Sequence, residues 1–221
     1  LMSLELKKRI ITSVFLLVLL YFMYFYTFIL IISVTVISII SWIEFNGLIF
    51  KIFKKNKNKD KLLRFCYKAI SLIYFSILIY LFLLIKSQKT DFEIFIFFSI
   101  LISVMSDIGG LVVGKTFKGK KLTKISPNKT ISGSIGSFIF SLSLIPIFLD
   151  YLINYNFLTL FIITLIISLT SQMGDLLISL LKRKAKVKNT SDLLPGHGGI
   201  LDRIDGIIFA IPIGFLLLVS F

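Results

Sequence analysis

The sequence predicts an all-α protein: a polytopic integral membrane helix bundle of about seven transmembrane helices. Three observations carry that prediction. Apolar side chains make up 57% of the 221 residues, against about 45–50% in an ordinary soluble domain, and mean hydropathy is +0.96. The apolar residues fall in runs long enough to cross hydrocarbon, separated by short polar gaps. The net charge is nonetheless +14, and the basic residues collect in the gaps. Such a chain is neither disordered nor water-soluble. Its single cysteine excludes a disulfide-stapled fold.

Each span follows in order. Ile10–Ile43 carries no charge and is too long for one span, so two helices are expected, at 10–25 and 27–43, broken at Tyr26-Thr27. The Lys- and Asn-rich stretch Lys51–Lys61 is a loop. Phe65–Ile85 is a third span, interrupted early by Lys68, and Ile94–Val113 a fourth, carrying Asp107. Ile131–Leu149 is the fifth, and Phe157–Leu181, carrying Asp175, the sixth. Gly206–Phe221 is a short seventh. Lys7-Lys8-Arg9 resembles the start of a signal peptide, but the apolar run behind it is too long and has no small-residue cleavage site. No internal repeat is evident. The chain therefore divides into 1–93, three spans with a basic loop, and 94–221, four spans with two polar loops.

With the N-terminus cytoplasmic, every Lys and Arg except Lys86 and Lys89 falls on the cytoplasmic side. The positive-inside rule then gives N-in, C-out. The Lys51–Lys68 cluster reads as orientation and attraction to anionic lipid.

Three acids stand at or inside the membrane boundaries. A carboxylate in hydrocarbon costs at least about 2.5–3.5 kcal/mol and is rare without a partner or a task. Glu44, close after Trp42 at the expected end of the second span, is satisfied by interfacial placement. Asp107 opens Asp107-Ile-Gly-Gly110 near the cytoplasmic end of the fourth span. Asp175 shares a helix face with Ser179 and Lys182. It is either one half of an internal ion pair with Lys182 or another lysine, or functional.

The densest polar signal lies at 179–206. Pro195-Gly196 and Gly198-Gly199 bracket His197, the only histidine, in a turn whose N–H groups suit an anion. Asp202 and Asp205 are expected on one face at the start of the last helix, where acids also suit the dipole. With Asp175 they could make an all-oxygen site of the kind Mg²⁺ takes together with substrate phosphates. Lys182, Arg183, Lys188 and Arg203 could neutralise phosphate oxygens. Zinc is disfavoured, because one histidine lacks thiolate partners and Cys66 lies in the third span. A serine hydrolase lacks its G-x-S-x-G. The second polar segment, Gly114–Gly133, matches no Walker or dinucleotide motif. It is rich in Lys, Gly, Ser and Thr and ends at a helix N-terminus, which suits a polyphosphate. An orientation loop is the plainer reading of the same composition.

Residues 179–205 resemble the signature of the phosphatidate cytidylyltransferases, or CDP-diacylglycerol synthases. That pattern, S-x-x-K-R-x4-K-D followed by P-G-H-G-G-x-x-D-R-x-D, is met at Ser179, Lys182, Arg183, Lys188, Pro195, Gly196, His197, Gly198, Gly199, Asp202, Arg203 and Asp205. Gly174-Asp175-Leu176 with Ser179 is similar to the family's G-D-L-x-x-S. Asp107-Ile-Gly, Gly114-Lys115 and Ser126-Pro127-Asn128-Lys129-Thr130 are similar to its D-T-G, G-R/K and S-P-x-K-T elements. Residues 1–100 agree only in hydropathy. Asn189 stands where the family usually has Asp, and Ile131-Ser132 where it has Trp-Glu, so the usual roles of those positions are not carried over. The N-terminal half is also short for the family.

The resemblance implies that phosphatidic acid and CTP give CDP-diacylglycerol and pyrophosphate, for phospholipid biosynthesis. Heavy Ile, Phe, Lys and Asn usage points to AT-rich coding and so to a bacterial inner (plasma) membrane, and CTP as substrate calls for an active site facing the cytoplasm. Asp175, Asp202 and Asp205 would hold Mg²⁺, alone or with a second cation, and with Lys182 and Arg203 form the catalytic set. Arg183 and Lys188 would bind phosphates, and His197, Gly198 and Gly199 would shape the nucleotide-side loop. Asp107, Lys115, Ser126, Lys129, Thr130 and Ser179 complete the substrate-binding set. Membrane lipid is a partner, nucleic acid is not, and a homodimer is expected from the family alone. Rival readings are a CTP-dependent kinase or cytidylyltransferase for another lipid, a non-catalytic homologue, and a cation-coupled transporter. The transporter would use Asp107 and Asp175, but both lie near one membrane face and no repeat is visible.

Overall fold

The computed structural model describes residues 4–54, 57–87, 92–123, 125–196 and 198–221. The described residues are helical, in the order α1 (Leu4–Phe25), α2 (Thr27–Ile52), α3 (Asn58–Ser87), α4 (Phe92–Phe117), α5 (Ile131–Leu142), α6 (Ile145–Phe148), α7 (Phe157–Lys184), α8 (Leu201–Ile204) and α9 (Ile207–Ser220). Among them, five candidate spans are long and apolar enough to cross a membrane, and Val14–Met23 and Ile207–Ser220 are shorter apolar helices. The protein is an all-α, polytopic integral membrane protein.

The chain forms two compact units. The first is Leu1–Ser87 with Leu181–Arg203, and the second is Gln88–Leu180 with Ile204–Phe221. The polar stretch 181–203 therefore belongs with the N-terminal helices, a grouping that linear order does not display.

In the first unit the expected break holds. Tyr26 is extended, with φ −119° and ψ 106°, and separates α1 from α2. Both α2 and α3 outrun their apolar cores. α2 continues to Ile52 and α3 begins at Asn58, because Lys, Asp and Arg are tolerated in helix that stands in water. Two cations cap this packing: the Arg64 guanidinium lies 5.2 Å from the Phe50 ring centre, and the Lys68 ammonium 5.5 Å from that of Trp42. Lys68, the charge that interrupts the third apolar run, thus lays its stem on the helix and its head over an aromatic face.

In the second unit α4 and α5 meet backbone to backbone. A Cβ added at Gly109 would fall 2.4 Å from the Gly136 carbonyl oxygen. Helices in lipid gain by such close approach, since apolar side chains gain little by leaving lipid for each other. Buried hydroxyls fasten the same unit: Ser103 and Ser171 are 2.6 Å apart, Ser141 donates to Ser168 at 3.1 Å, and Ser168 to Ser106 at 3.2 Å. The fifth apolar run is not one straight helix. α5 ends at Leu142 and α6 restarts at Ile145, with Pro146 in its first turn, where a missing N–H costs nothing.

Candidate active site

The second unit contains a cavity of about 430 Å³. Its lining includes Asp107, Lys115, Ser126, Lys129, Thr130 and Asp175, six residues singled out from sequence. Asp107 and Lys115 come from α4, and Asp175 from α7. The 118–130 segment is shaped by a short antiparallel pairing. Leu122 donates its N–H to the Lys129 carbonyl at 2.8 Å, and Ile131 to that of Lys120 at 3.0 Å. Thr130 then caps α5, its hydroxyl accepting from the Gly133 N–H at 3.1 Å. Ser132 has a structural task of its own: its hydroxyl donates to the Lys118 carbonyl and lies 3.0 Å from that of Thr130.

Asp175 is ion-paired with Lys129, and accepts from the Ser179 hydroxyl at 3.2 Å. Of the ion-pair partners open to it from sequence, a lysine other than Lys182 is the one used. Gln172, one turn earlier on α7, also lines the cavity and accepts from Ser134 at 2.6 Å. The result is a pocket of carboxylate, ammonium and hydroxyl groups. It can bind phosphate oxygens directly, and can bind them through a hard cation.

The first unit contains the other half of the predicted set. Lys182 donates to Asp202 Oδ1 at 2.7 Å. Asp202 Oδ2 accepts from the Thr190 N–H at 2.8 Å, the Thr190 hydroxyl at 3.0 Å and the Gly199 N–H at 3.0 Å. Burial alone would raise the Asp202 carboxyl, but the Lys182 hydrogen bond and those backbone N–H groups outweigh it and hold it below the usual carboxylate range. Leu194 and Gly198 exchange backbone hydrogen bonds of 2.8 and 3.1 Å, closing a tight turn in which Gly196 has φ +78°. His197, at this turn, lies outside the described residues. Arg183, Lys188 and Arg203 are exposed.

Two expectations are corrected. Asp202 and Asp205 do not open the last long helix together. Asp202 lies in the four-residue α8, and Asp205 lies in the turn before α9, its carboxylate accepting from the Gly206 N–H at 3.0 Å. The chain passes close to α7 here: a Cβ at Gly206 would stand 2.5 Å from the Ser171 hydroxyl. Glu44 is not at a solvated helix end. α2 runs on past it, and Glu44 is only 6% exposed. Sequence reasoning singled out Glu44 but gave it only an interfacial place, and it missed Thr190, Ser134 and Gln172. The available cue for Glu44 was a lone charge in an otherwise apolar helix stretch.

For Mg²⁺, the donor chemistry fits. The candidate ligands are carboxylate oxygens, and the ammonium groups of Lys129 on Asp175 and Lys182 on Asp202 stand in as cations. Among the described residues no three of His, Cys, Asp and Glu gather into a cage.

Membrane-crossing helices carrying a cavity lined by carboxylates, lysines and hydroxyls define a polytopic membrane protein with a polar, charged pocket. A sequence model of the cytidylyltransferase family matches residues 3–221, and the chain belongs to that family. The phosphatidate cytidylyltransferase of Bacillus subtilis (strain 168) is 37% identical over 155 residues, covering 69% of this chain and 58% of its own length. That of Rickettsia bellii (strain RML369-C) is 41% identical over 162 residues, 68% of each chain. That of Staphylococcus haemolyticus (strain JCSC1435) is 34% identical over 178 residues, covering 78% of this chain and 65% of its own length. The chain thus spans between 58% and 68% of the length of these relatives.

Proposed function

We propose that the protein transfers a cytidylyl group from CTP to phosphatidic acid, giving CDP-diacylglycerol and pyrophosphate for phospholipid synthesis. The observation that carries this reading is the gathering of Asp107, Lys115, Ser126, Lys129, Thr130 and Asp175 around one cavity in a member of the cytidylyltransferase family. A phosphate oxygen of the lipid attacks the α-phosphorus of CTP in line. The bond from that phosphorus to the β-phosphate bridging oxygen breaks, and pyrophosphate departs with the electron pair. Such transfers depend on positioning and charge neutralisation rather than on covalent help. Lys129 and Lys182 exchange their carboxylate partners for phosphate oxygens. Lys115, Arg183, Lys188 and Arg203 add positive charge, and Ser126 and Thr130 donate hydroxyl hydrogen bonds. Asp175, Asp202 and Asp205 are the proposed Mg²⁺ ligands; the bound ion would neutralise the triphosphate and the leaving pyrophosphate.

The placement of all but two Lys and Arg on one side supports an inner-membrane protein with its polar loops in the cytoplasm. Purified protein supplied with labelled CTP, phosphatidic acid and Mg²⁺ should give a chloroform-soluble cytidine product, and a chelator should abolish it. No product with phosphatidic acid, or equal product with an unrelated lipid phosphate, overturns the reading. Labelling of residues 118–129 by an external impermeant probe would overturn the orientation.

A further inference from the structure

The buried acid that the proposed reaction leaves unused is Glu44. A carboxylate taken out of water must be repaid by hydrogen bonds. Its partners all come from the polar loop of the same unit. Glu44 Oε2 accepts from the Thr190 hydroxyl and the Leu201 N–H, both at 2.8 Å. Oε1 accepts from the Ser191 hydroxyl at 2.5 Å and the Ile200 N–H at 3.1 Å. One carboxylate thus grips both ends of the loop, at 190–191 and at 200–201. The neck is too tight for any side chain at Gly199, where a Cβ would lie 2.6 Å from Glu44 Oε2 and 2.0 Å from the Thr190 hydroxyl oxygen.

The grip is coupled to Asp202. The Thr190 hydroxyl lies 2.8 Å from Glu44 and 3.0 Å from Asp202, yet it has a single hydrogen to give. Leu201, whose N–H Glu44 holds, is the neighbour of Asp202 in the chain. Gly199, pressed against Glu44, donates to Asp202. Moving Glu44 therefore moves the groups that orient Asp202.

We infer that Glu44 is a positioning residue: a carboxylate clamp from α2 that closes the neck of the 190–201 loop and holds Asp202 and the glycine turn in their working arrangement. The role in turnover rests on the proposed cytidylyl transfer, whereas the clamp itself does not.

The test uses the full chain in detergent micelles or lipid discs, with Glu44→Gln and Glu44→Ala. Gln keeps the shape, but its amide nitrogen meets at least one backbone N–H donor head on. Hydrogen exchange read by mass spectrometry should run about tenfold faster over residues 190–201 in both variants, with α4–α5 peptides unchanged. With CTP and phosphatidic acid, kcat should fall about tenfold to a hundredfold in Glu44→Gln, while KM for CTP moves by less than about threefold. Should Glu44→Ala fail to fold, Thr190→Val removes one donor at constant shape and should loosen the same peptide by a smaller factor. Unchanged exchange over 190–201 in the folded Glu44→Gln variant overturns the clamp. Loosening with an unaltered kcat overturns its role in turnover. If the wild-type chain makes no cytidine lipid, the proposed reaction fails, and the exchange measurement still decides the clamp.

Discussion

Two acidic regions of this protein use their charge differently. In the polar loop of the first unit, Asp202 and Glu44 are surrounded by donors: a lysine, two hydroxyls and four backbone N–H groups divided between them. In the cavity of the second unit, Asp175 carries one lysine and one serine, and stays partly open, its side chain 24% exposed. The first arrangement organises backbone. The second leaves one side of the carboxylate open. Asp202 and Glu44 are thus built into a loop, whereas Asp175 keeps an open side.

The largest expected effect tests the open end of that contrast. Asp175→Asn should lower cytidylyl transfer by about a thousandfold and raise the Mg²⁺ concentration for half-maximal rate, measured with the chloroform-extraction assay over a Mg²⁺ series. Near wild-type rates would remove Asp175 from the ligand set. Next, Asp202→Asn should cost about a hundredfold and also speed exchange at the Thr190 and Gly199 amides. A rate loss with no loosening would erase the distinction between the two regions. Lys129→Ala should cost about tenfold to a hundredfold and raise KM for CTP, since its charge is proposed to pass from Asp175 to phosphate; an unchanged KM would confine Lys129 to the ion pair. Smallest, Ser179→Ala removes one neutral hydrogen bond to Asp175 and should cost less than about tenfold. A loss as great as that of Asp175→Asn would mean that the serine holds the carboxylate's orientation.

The difference between the regions also explains what was readable in advance. Hydropathy located the membrane-crossing helices, because burial in lipid demands continuous apolar surface. The cavity residues were legible because Ser126, Lys129, Thr130 and Asp175 stand in short motifs whose members are close in sequence. Glu44 was not. Its partners at 190–201 are far along the chain, and no local period marks a pairing of that range. The hydroxyl seam of Ser103, Ser106, Ser141, Ser168 and Ser171 was hidden for a related reason: serines scattered through apolar runs register only as slightly lower hydropathy. The break between α5 and α6 did carry a local mark, Pro146, which an apolar count passes over.

The Gly109–Gly136 contact also bears on the cavity. Asp107 and Lys115 stand on α4, while Thr130 caps α5 and Ser134 lies in its first turns. Where the two helices touch, backbone approaches backbone at Gly109 and Gly136, and the side chains of Val113 and Phe140 pack against the same glycines. The gauge of the cavity on that side is therefore held by peptide atoms in contact as well as by packed side chains. A methyl group added at either glycine would drive the two helices apart, so room for a bulkier substrate comes more cheaply from α7 or from the 118–130 loop.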